Sequence, residues 1–322
     1  MSVILRIILV ISWLCLSTTT LFAQQEQQNE PATEQTANEE ATKVDPLTQQ
    51  SEEQTTEPAT TQDSSSHNRP EILAPIDELE QHKSDLDHYM ESEELSDILV
   101  QAQSFKITTA THETPQNKGT IILLPDWQQA LTNPHAINFL RKQLPDMGWT
   151  TIAVTPPNAP QNFPSVAIEE QQRATDNTES LTSYKTFLVS LLEQLYEQAK
   201  RNPGVIIVLT QGNHALLLPE LINEGTIEAP AAMIMLSGYG ITQNITSNGA
   251  QRISQSDIPI LDLYLKRDNY LVANAAKLRR KLTTQELTPG YRQRELHNVT
   301  TGYYPNEMML KEIKGWLRSI GW

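Results

Sequence analysis

The protein has 322 residues, a formal net charge of −15 at pH 7 and a single cysteine. A chain this acidic is repelled at long range by polyphosphates and by anionic membrane surfaces, so nucleic-acid binding and docking on such membranes are disfavoured. A single cysteine also excludes a disulfide framework within the chain.

Residues 1–23 have the pattern of a secretory signal peptide. Arg6 supplies a positive charge, an apolar run follows over Ile7–Leu16, and small and polar residues lead to Ala23. The apolar run is about ten residues long, whereas a helix that spans a membrane needs about 20. We therefore predict cleavage after Ala23 and no stable membrane anchor. Since Cys15 leaves with the signal, the mature protein has no thiol for catalysis or metal binding.

Residues 24–70 are predicted to form a disordered, acidic linker. They are mostly Gln, Glu, Thr, Ser, Ala and Pro, and they hold two basic against ten acidic residues. Val44 and Leu47 are the only sizeable aliphatic residues, so the segment cannot bury enough apolar surface to offset the entropy of ordering. A solvated spacer is favoured over a binding tail, and residues 71–322 are predicted to form the folded domain.

The predicted domain begins with a charged segment whose apolar residues recur at three- and four-residue spacings. Over Pro75–Gln101 this spacing predicts one or two amphipathic helices. An alternating stretch follows at Phe105–Thr111, and Pro115–Gly119 contains residues typical of turns. These two segments together predict an edge hairpin that leads into a sheet.

From Thr120 onward, short apolar strands alternate with helical patterns. The predicted strands are Thr120–Leu124, Thr150–Val154, Val205–Thr210, Ala231–Leu236, Ile258–Leu265 and Tyr291–Leu296. The predicted helices are Pro134–Met147, Leu181–Lys200, Asn213–Asn223, Asn269–Leu282 and Asn306–Ile320. This alternation is typical of an α/β fold with a mostly parallel central sheet and helices on both faces.

Ligands of such sheets bind beyond the carboxyl ends of the strands. The candidate ligand-binding residues therefore follow predicted strands, and they are Asp126, Trp127, Gln211, Gly212, Asn213, His214 and Ser237. No pair of the seven histidines has the spacing of a zinc-binding helix motif. The single glycine of Gln211–Asn213 matches neither a phosphate-binding loop nor a dinucleotide fingerprint, so we predict no metal and no cofactor.

Six segments of the predicted domain together carry a resemblance to a known protein family through their order and spacing along the chain. They are Gly119–Trp127, Leu140–Thr150, Val205–Ala215, Ile258–Tyr264, Tyr291–Gln293 and Gly315–Leu317. This set resembles a family of exported bacterial proteins of unknown function that is assigned to the α/β-hydrolase fold. The resemblance covers about residues 71–322 and implies an α/β-hydrolase-like fold. Together with the export signal, it implies a bacterial protein located in the periplasm.

The turn that would carry a catalytic serine has glycine instead. Active serine hydrolases of this fold present the nucleophile on a strained strand-to-helix turn with the pattern G-x-S-x-G. The equivalent segment here is Thr210–Ala215, with Gly212 at the nucleophile position. Glycine has no side chain that could attack a substrate, and the resemblance implies that glycine is typical of the family at this place.

Four other side chains are candidates for chemistry at the same edge of the sheet, and each has a second interpretation. Asp268 lies where hydrolases carry the triad acid, although Asp268–Asn269 also makes a good N-cap for the next helix. His297 lies near the place of the triad histidine, although histidines at strand ends are commonly just exposed. Ser237 could replace the missing nucleophile, or it could be an ordinary turn residue. The side chain of His214, in the first turn of a predicted helix, could point at a bound ligand or could face solvent.

Two functions follow from these residues. The first is a non-catalytic protein that keeps the hydrolase fold and binds a small molecule or an envelope component. The alternative is a divergent, esterase-like hydrolase in which His214 or His297, assisted by Asp268, activates a water molecule. The missing serine favours the first function.

Overall fold

The computed structural model describes residues 75–91 and 95–322. The predicted signal peptide at 1–23 and the predicted linker at 24–70 lie outside the described residues, and both stay predictions. No helix in the described part of the chain has both the length and the apolar character needed to cross a membrane.

The described residues contain an eight-stranded sheet, which confirms the predicted α/β class. In chain order its strands are β1 (Leu95–Val100), β2 (Gln103–Ala110), β3 (Gly119–Leu124), β4 (Trp149–Val154), β5 (Val205–Gln211), β6 (Ala232–Leu236), β7 (Ile260–Leu265) and β8 (Tyr291–Leu296). Their order in space is β1-β2-β4-β3-β5-β6-β7-β8. β2 runs antiparallel to β1 and β4, and all the other neighbours pair in parallel. The carboxyl ends of β3 to β8 therefore meet at one edge of the sheet.

Helices cover both faces of the sheet, as the alternation of patterns predicts. They are α1 (Glu78–Tyr89), α2 (Ala136–Gln143), α3 (Glu170–Ala199), α4 (His214–Asn223), α5 (Gln243–Ser254), α6 (Tyr270–Gln285) and α7 (Asn306–Ser319). Successive strand side chains point to opposite faces, so β3 sends Ile122 into one apolar cluster and Ile121 into the other. Residues of α3, α4 and α5 contribute to the first cluster, and residues of α2 and α7 contribute to the second.

The edge hairpin differs from its prediction. The prediction of helix up to Gln101 is wrong for Leu95–Val100, which forms β1 and pairs with β2. Gln101 begins the tight turn between these strands and has a φ of +55°. Ile98 is buried whereas Leu99 is 66% exposed, which is the alternation of a strand with one buried face. Pairing and one-sided burial therefore outweigh the helical spacing of the apolar residues.

Two helices also differ from the prediction. α3 begins at Glu170, well before the predicted start at Leu181, and its buried residues begin only at Tyr184. Its first turns are polar and give no apolar pattern. The sequence does not predict α5, which is also largely polar. A Cβ atom at Gly249 of α5 would lie 2.7 Å from Leu216 of α4, so close helix packing explains this helix better than its amphipathic pattern.

Candidate functional site

The turn between β5 and α4 lies at the carboxyl edge of the sheet. Gln211 ends β5, and His214 begins α4. Gly212 lies between them with a φ of +60°, a left-handed conformation that glycine adopts at little cost. The backbone thus makes a strand-to-helix turn of the kind that carries the nucleophile in serine hydrolases, and glycine occupies the bend.

The side chain of Asp126, which follows β3, lies directly over Gly212. A Cβ atom at position 212 would be 1.9 Å from Oδ2 and 2.0 Å from Cγ of Asp126. Non-bonded heavy atoms normally approach only to about 3.5–4 Å. The Asp126 carboxyl group therefore occupies the space that any side chain at position 212 would need.

Hydrogen bonds hold the Asp126 carboxyl group in this place. Asn213 donates to Oδ1 through its backbone N–H at 2.9 Å and through its side-chain amide at 3.3 Å. The Tyr239 hydroxyl is a further donor to the carboxyl group. In serine hydrolases the N–H that follows the nucleophile stabilises the oxyanion. The corresponding N–H, that of Asn213, here donates to a side chain of the protein itself.

Burial raises the pKa of Asp126 to about 6, because desolvation disfavours the charged form more than the donors of Asn213 and Tyr239 favour it. Asp126 is only 6% exposed. Its carboxyl group therefore changes protonation close to neutral pH, whereas the same group in the unfolded chain has a pKa of 3.8.

This shift predicts an unusual pH dependence of stability. Because the folded pKa is above the unfolded value, the folded chain binds a proton more tightly, and stability rises as pH falls through 6. Each pKa unit corresponds to about 1.4 kcal/mol, so wild type should gain about 2–3 kcal/mol relative to Asp126→Asn between about pH 7.5 and about pH 4. Urea unfolding of both proteins at each pH measures this difference. Parallel pH profiles for the two proteins would contradict the shift.

His214 lies in a buried chain of hydrogen bonds. Trp127 Nε1–H donates to Tyr184 Oη at 2.8 Å, and Tyr184 Oη lies 2.6 Å from His214 Nε2. His214 Nδ1 lies 2.6 Å from Pro125 O. A carbonyl oxygen can only accept, so Nδ1 carries the proton and Nε2 accepts from the tyrosine. Burial lowers the pKa of His214 to about 4, so the ring is neutral with both nitrogens engaged. The interpretation of His214 as solvent-facing is wrong.

Ser237 and Asp268 lie together near the ends of β6 and β7. Ser237 Oγ donates to Asp268 Oδ2 at 2.5 Å and lies 2.7 Å from Tyr304 Oη. Tyr304 donates in turn to Leu263 O at 3.0 Å. The cap of α6 that is predicted at Asp268–Asn269 is formed by Asn269, whose side chain accepts the N–H of Leu271. Asp268 Oδ1 accepts the N–H of Asn269 at 2.8 Å.

Tyr304 is a residue that the sequence reasoning missed. It lies between β8 and α7, in the segment where hydrolases of this fold carry the triad histidine, and its side chain is buried. Its place after the last strand is the one sequence signal that could have identified it.

The structure does not bring His297 to this cluster. Its side chain is 69% exposed, and Nε2 lies 3.8 Å from Glu295. In residues 75–91 and 95–322, no hydrogen bond links His297 to Asp268 or Ser237. The catalytic roles of Asp268 and His297 stay predictions, and the two side chains do not form a pair.

A buried ion pair anchors the loop that follows β6. Arg279 donates to Asp262 through Nε at 2.7 Å and Nη2 at 3.0 Å, and through Nη1 to Gly238 O at 2.8 Å. Tyr291 and Gln293 also donate to Asp262 Oδ2. Burial alone would lower the pKa of Arg279, but the charge of Asp262 outweighs it and holds this pKa above its usual value.

The same loop covers the turn at Gly212. Tyr239 N–H donates to Gly212 O at 3.3 Å, and Ile241 N–H donates to Asn213 Oδ1 at 3.0 Å. The predicted ligand-binding residues around the turn are less than one-tenth exposed, namely Asp126, Trp127, Asn213, His214 and Ser237. Gln211 is partly exposed, but its Oε1 is buried without a hydrogen-bond partner among the described residues. In that part of the chain, no three His, Cys, Asp or Glu side chains cluster as metal ligands would.

Comparisons with known proteins agree with this architecture. The model of a family described as "Protein of unknown function (DUF3530)" matches residues 5–188 and 169–319. No curated protein sequence matches the chain. The structure is similar to Est1E from Butyrivibrio proteoclasticus, with 10% identity, a TM-score of 0.52 and coverage of 70% of this chain and 98% of that chain.

Two further solved structures are similar over most of their length. One is an alpha-beta serine hydrolase homologue from Coxiella burnetii, with 12% identity, a TM-score of 0.44 and coverage of 72% of this chain and 100% of that chain. The other is esterase 2 of Thermogutta terrifontis, with 10% identity, a TM-score of 0.44 and coverage of 72% and 97%. The strand order and the likeness to Est1E show an α/β-hydrolase-like fold, and at such low identity this likeness shows the fold alone.

Proposed function

The chain belongs to the DUF3530 family, whose function is unknown, and we propose that it is a non-catalytic α/β-hydrolase-fold protein. We propose that it binds a small molecule or a partner in the bacterial cell envelope. The observation that carries this proposal is the position of Asp126, whose carboxyl group fills the space over Gly212. A pseudoenzyme of this kind keeps the scaffold of a hydrolase and lacks its chemistry.

Two requirements of acyl transfer, the nucleophile and the oxyanion donor, are unmet at the turn. A covalent mechanism needs a nucleophile, a base that activates it and donors that stabilise the oxyanion. Gly212 offers no nucleophile. The N–H of Asn213 already donates to Asp126 Oδ1. A carboxylate at this place would also repel the developing oxyanion, and the repulsion is strong in a buried, low-dielectric site.

The alternative, a hydrolase that activates water through histidine, has less support. A general base needs a free lone pair within reach of the water that it deprotonates. His214 Nε2 is buried and accepts a hydrogen bond from Tyr184. His297 is exposed and makes no hydrogen bond to Asp268 among the described residues. Asp126, with a pKa of about 6, is the carboxylate in this region that is best matched to base catalysis, so it belongs in any test of activity.

We expect no hydrolysis of a panel of ester and amide substrates above the uncatalysed rate, and no labelling by a serine-directed phosphonate. The physical reason is the absence of an activated nucleophile at the turn. Labelling is followed by mass spectrometry, with an active serine hydrolase as the positive control. Hydrolysis that is lost in Asp126→Asn, Asp268→Asn or His297→Gln would contradict the proposal, and so would labelling that is lost in Ser237→Ala.

The proposed location has its own test. If the protein is exported to the periplasm and processed after Ala23, the mature form begins at Gln24. Fractionation and N-terminal mass spectrometry of the expressed protein should find this form in the periplasmic fraction. An unprocessed chain that stays with the membrane would contradict the predicted cleavage.

A further inference from the structure

A cavity lies at the opposite edge of the sheet from Gly212. It has a volume of about 510 Å³ and lies beside the start of β3, the start of β4 and the last turns of α7. Sites for small molecules typically have volumes of about 300–1,000 Å³. The cavity is therefore large enough for a small organic ligand, and neither the hydrolase fold nor the proposed function assigns it a role.

The charge of this cavity is opposite to that of the domain. Lys118, Lys314 and Arg318 line it, and Asp146 is the one acidic side chain in its lining. None of the three cations forms an ion pair with a described residue. The domain as a whole is acidic, since residues 71–322 hold 21 basic and 29 acidic residues. Three unpaired cations in an acidic domain form a local site that attracts anions.

The inner wall of the cavity adds an aromatic surface and an unused donor. Trp149 is fully buried, and its Nε1–H has no hydrogen-bond partner among the described residues. A buried donor without an acceptor is destabilising, and an acceptor seated beside this ring would remove that cost. The ring of Trp322 packs edge-to-face on Trp149, with centroids 6.3 Å apart. Met147 and Leu317 extend the apolar part of the lining.

We propose that this cavity binds a small organic anion, in which a carboxylate or a phosphate group is attached to an aromatic or apolar body. The anionic group lies among Lys118, Lys314 and Arg318, and the body packs against the ring of Trp322, which itself packs on Trp149. The ligand is held by charge-assisted hydrogen bonds and by aromatic contact. This site is separate from the turn at Gly212, so it stands whether or not the protein is catalytic.

The test uses the purified protein and four probes of defined chemistry. Phenyl phosphate and phenylacetate carry both features, inorganic phosphate carries the charge alone, and benzyl alcohol carries the ring alone. Intrinsic tryptophan fluorescence and isothermal titration calorimetry measure binding. We expect saturable binding of at least one aromatic anion at one site per chain, weaker binding of the two partial probes, and weaker binding at high salt. The ratio of the affinities for phenyl phosphate and phenylacetate shows which anionic group the site prefers.

Matched variants on α7 identify the site. Removing one charge-assisted hydrogen bond corresponds to about a tenfold or greater loss of affinity, so Lys314→Gln and Arg318→Gln should each weaken binding by about that factor. The control is Lys311→Gln, which makes the same change on the same helix. Lys311 is exposed and lies outside the cavity lining, so the Lys311→Gln variant should bind the ligand with the affinity of wild type. If the α7 variants fold poorly, Lys118→Gln provides the same test, because Lys118 lines the cavity but precedes β3 and does not belong to α7.

Three results would each overturn the proposal. The first is the absence of saturable binding of both aromatic anions at low salt. The second is binding of benzyl alcohol as tight as that of phenylacetate, because charge then contributes nothing. The third is an equal loss of affinity in Lys311→Gln and in the variants of the cavity. None of these results bears on hydrolysis, so the failure of this proposal is distinguishable from the failure of the proposed function.

Discussion

Replacement of Arg279 by methionine should destabilise the domain by about 3–5 kcal/mol, the cost typical of leaving one member of a buried ion pair without its partner. Neither Arg279 nor Asp262 is exposed to solvent, so water cannot compensate the lost charge. The variant also loses the hydrogen bond to Gly238 O, which holds the loop after β6. Urea unfolding followed by circular dichroism measures the change in the free energy of unfolding.

The matched control for this prediction is an exposed arginine. Arg252 lies 3.5 Å from Glu224, and both side chains are about two-fifths exposed. Arg252→Met should cost only about 0–1 kcal/mol, because water screens the pair and solvates the remaining carboxylate. If Arg279→Met costs no more than Arg252→Met, the buried pair does not stabilise the loop as inferred.

Replacement of Gly212 by serine should destabilise the domain by about 2–5 kcal/mol. Forcing a residue with a Cβ into the left-handed conformation costs about 1–2 kcal/mol. The new side chain must also displace the Asp126 carboxyl group, and breaking its buried hydrogen bonds costs about 1–3 kcal/mol more. Urea unfolding at neutral pH measures the total, and an ester assay should show no gain of activity.

Two further variants separate the contributions at Gly212. Gly225 has a similar φ of +68°, and a Cβ there would meet nothing within 4 Å, so Gly225→Ser reports the backbone cost alone. The double variant Asp126→Gly, Gly212→Ser should recover part of the loss, because the space over position 212 is then free. Additive effects of the two substitutions would contradict the steric role of Asp126.

The fold was largely predictable from local patterns. Buried parallel strands such as Val205–Gln211 have continuous apolar runs, and the helices between them have apolar periodicity. The apolar spacing is ambiguous at Leu95–Val100, where apolar residues at the three- and four-residue spacing of a helix form an edge strand. A helical pattern of apolar residues is absent in α5 (Gln243–Ser254), whose place is fixed by packing against α4.

The candidate site was less predictable, because its decisive contacts join distant parts of the chain. The glycine at the turn is visible in the sequence, but nothing local indicates that Asp126, 87 residues away from Asn213, covers it. The burial of His214 depends on Tyr184 of α3, which gives no sequence signal. His297 follows Leu296, which is buried, so strand alternation turns the His297 side chain outward.

The position of Asp126 also limits how this protein could evolve. A serine that arises at position 212 meets the carboxyl group, and a loss of about 2–5 kcal/mol is a large part of the 5–15 kcal/mol that holds a typical domain folded. The order of mutations therefore matters: a smaller residue has to appear at position 126 before serine is tolerated at 212. A single substitution does not give this lineage a hydroxyl nucleophile at that turn without a heavy loss of folded protein.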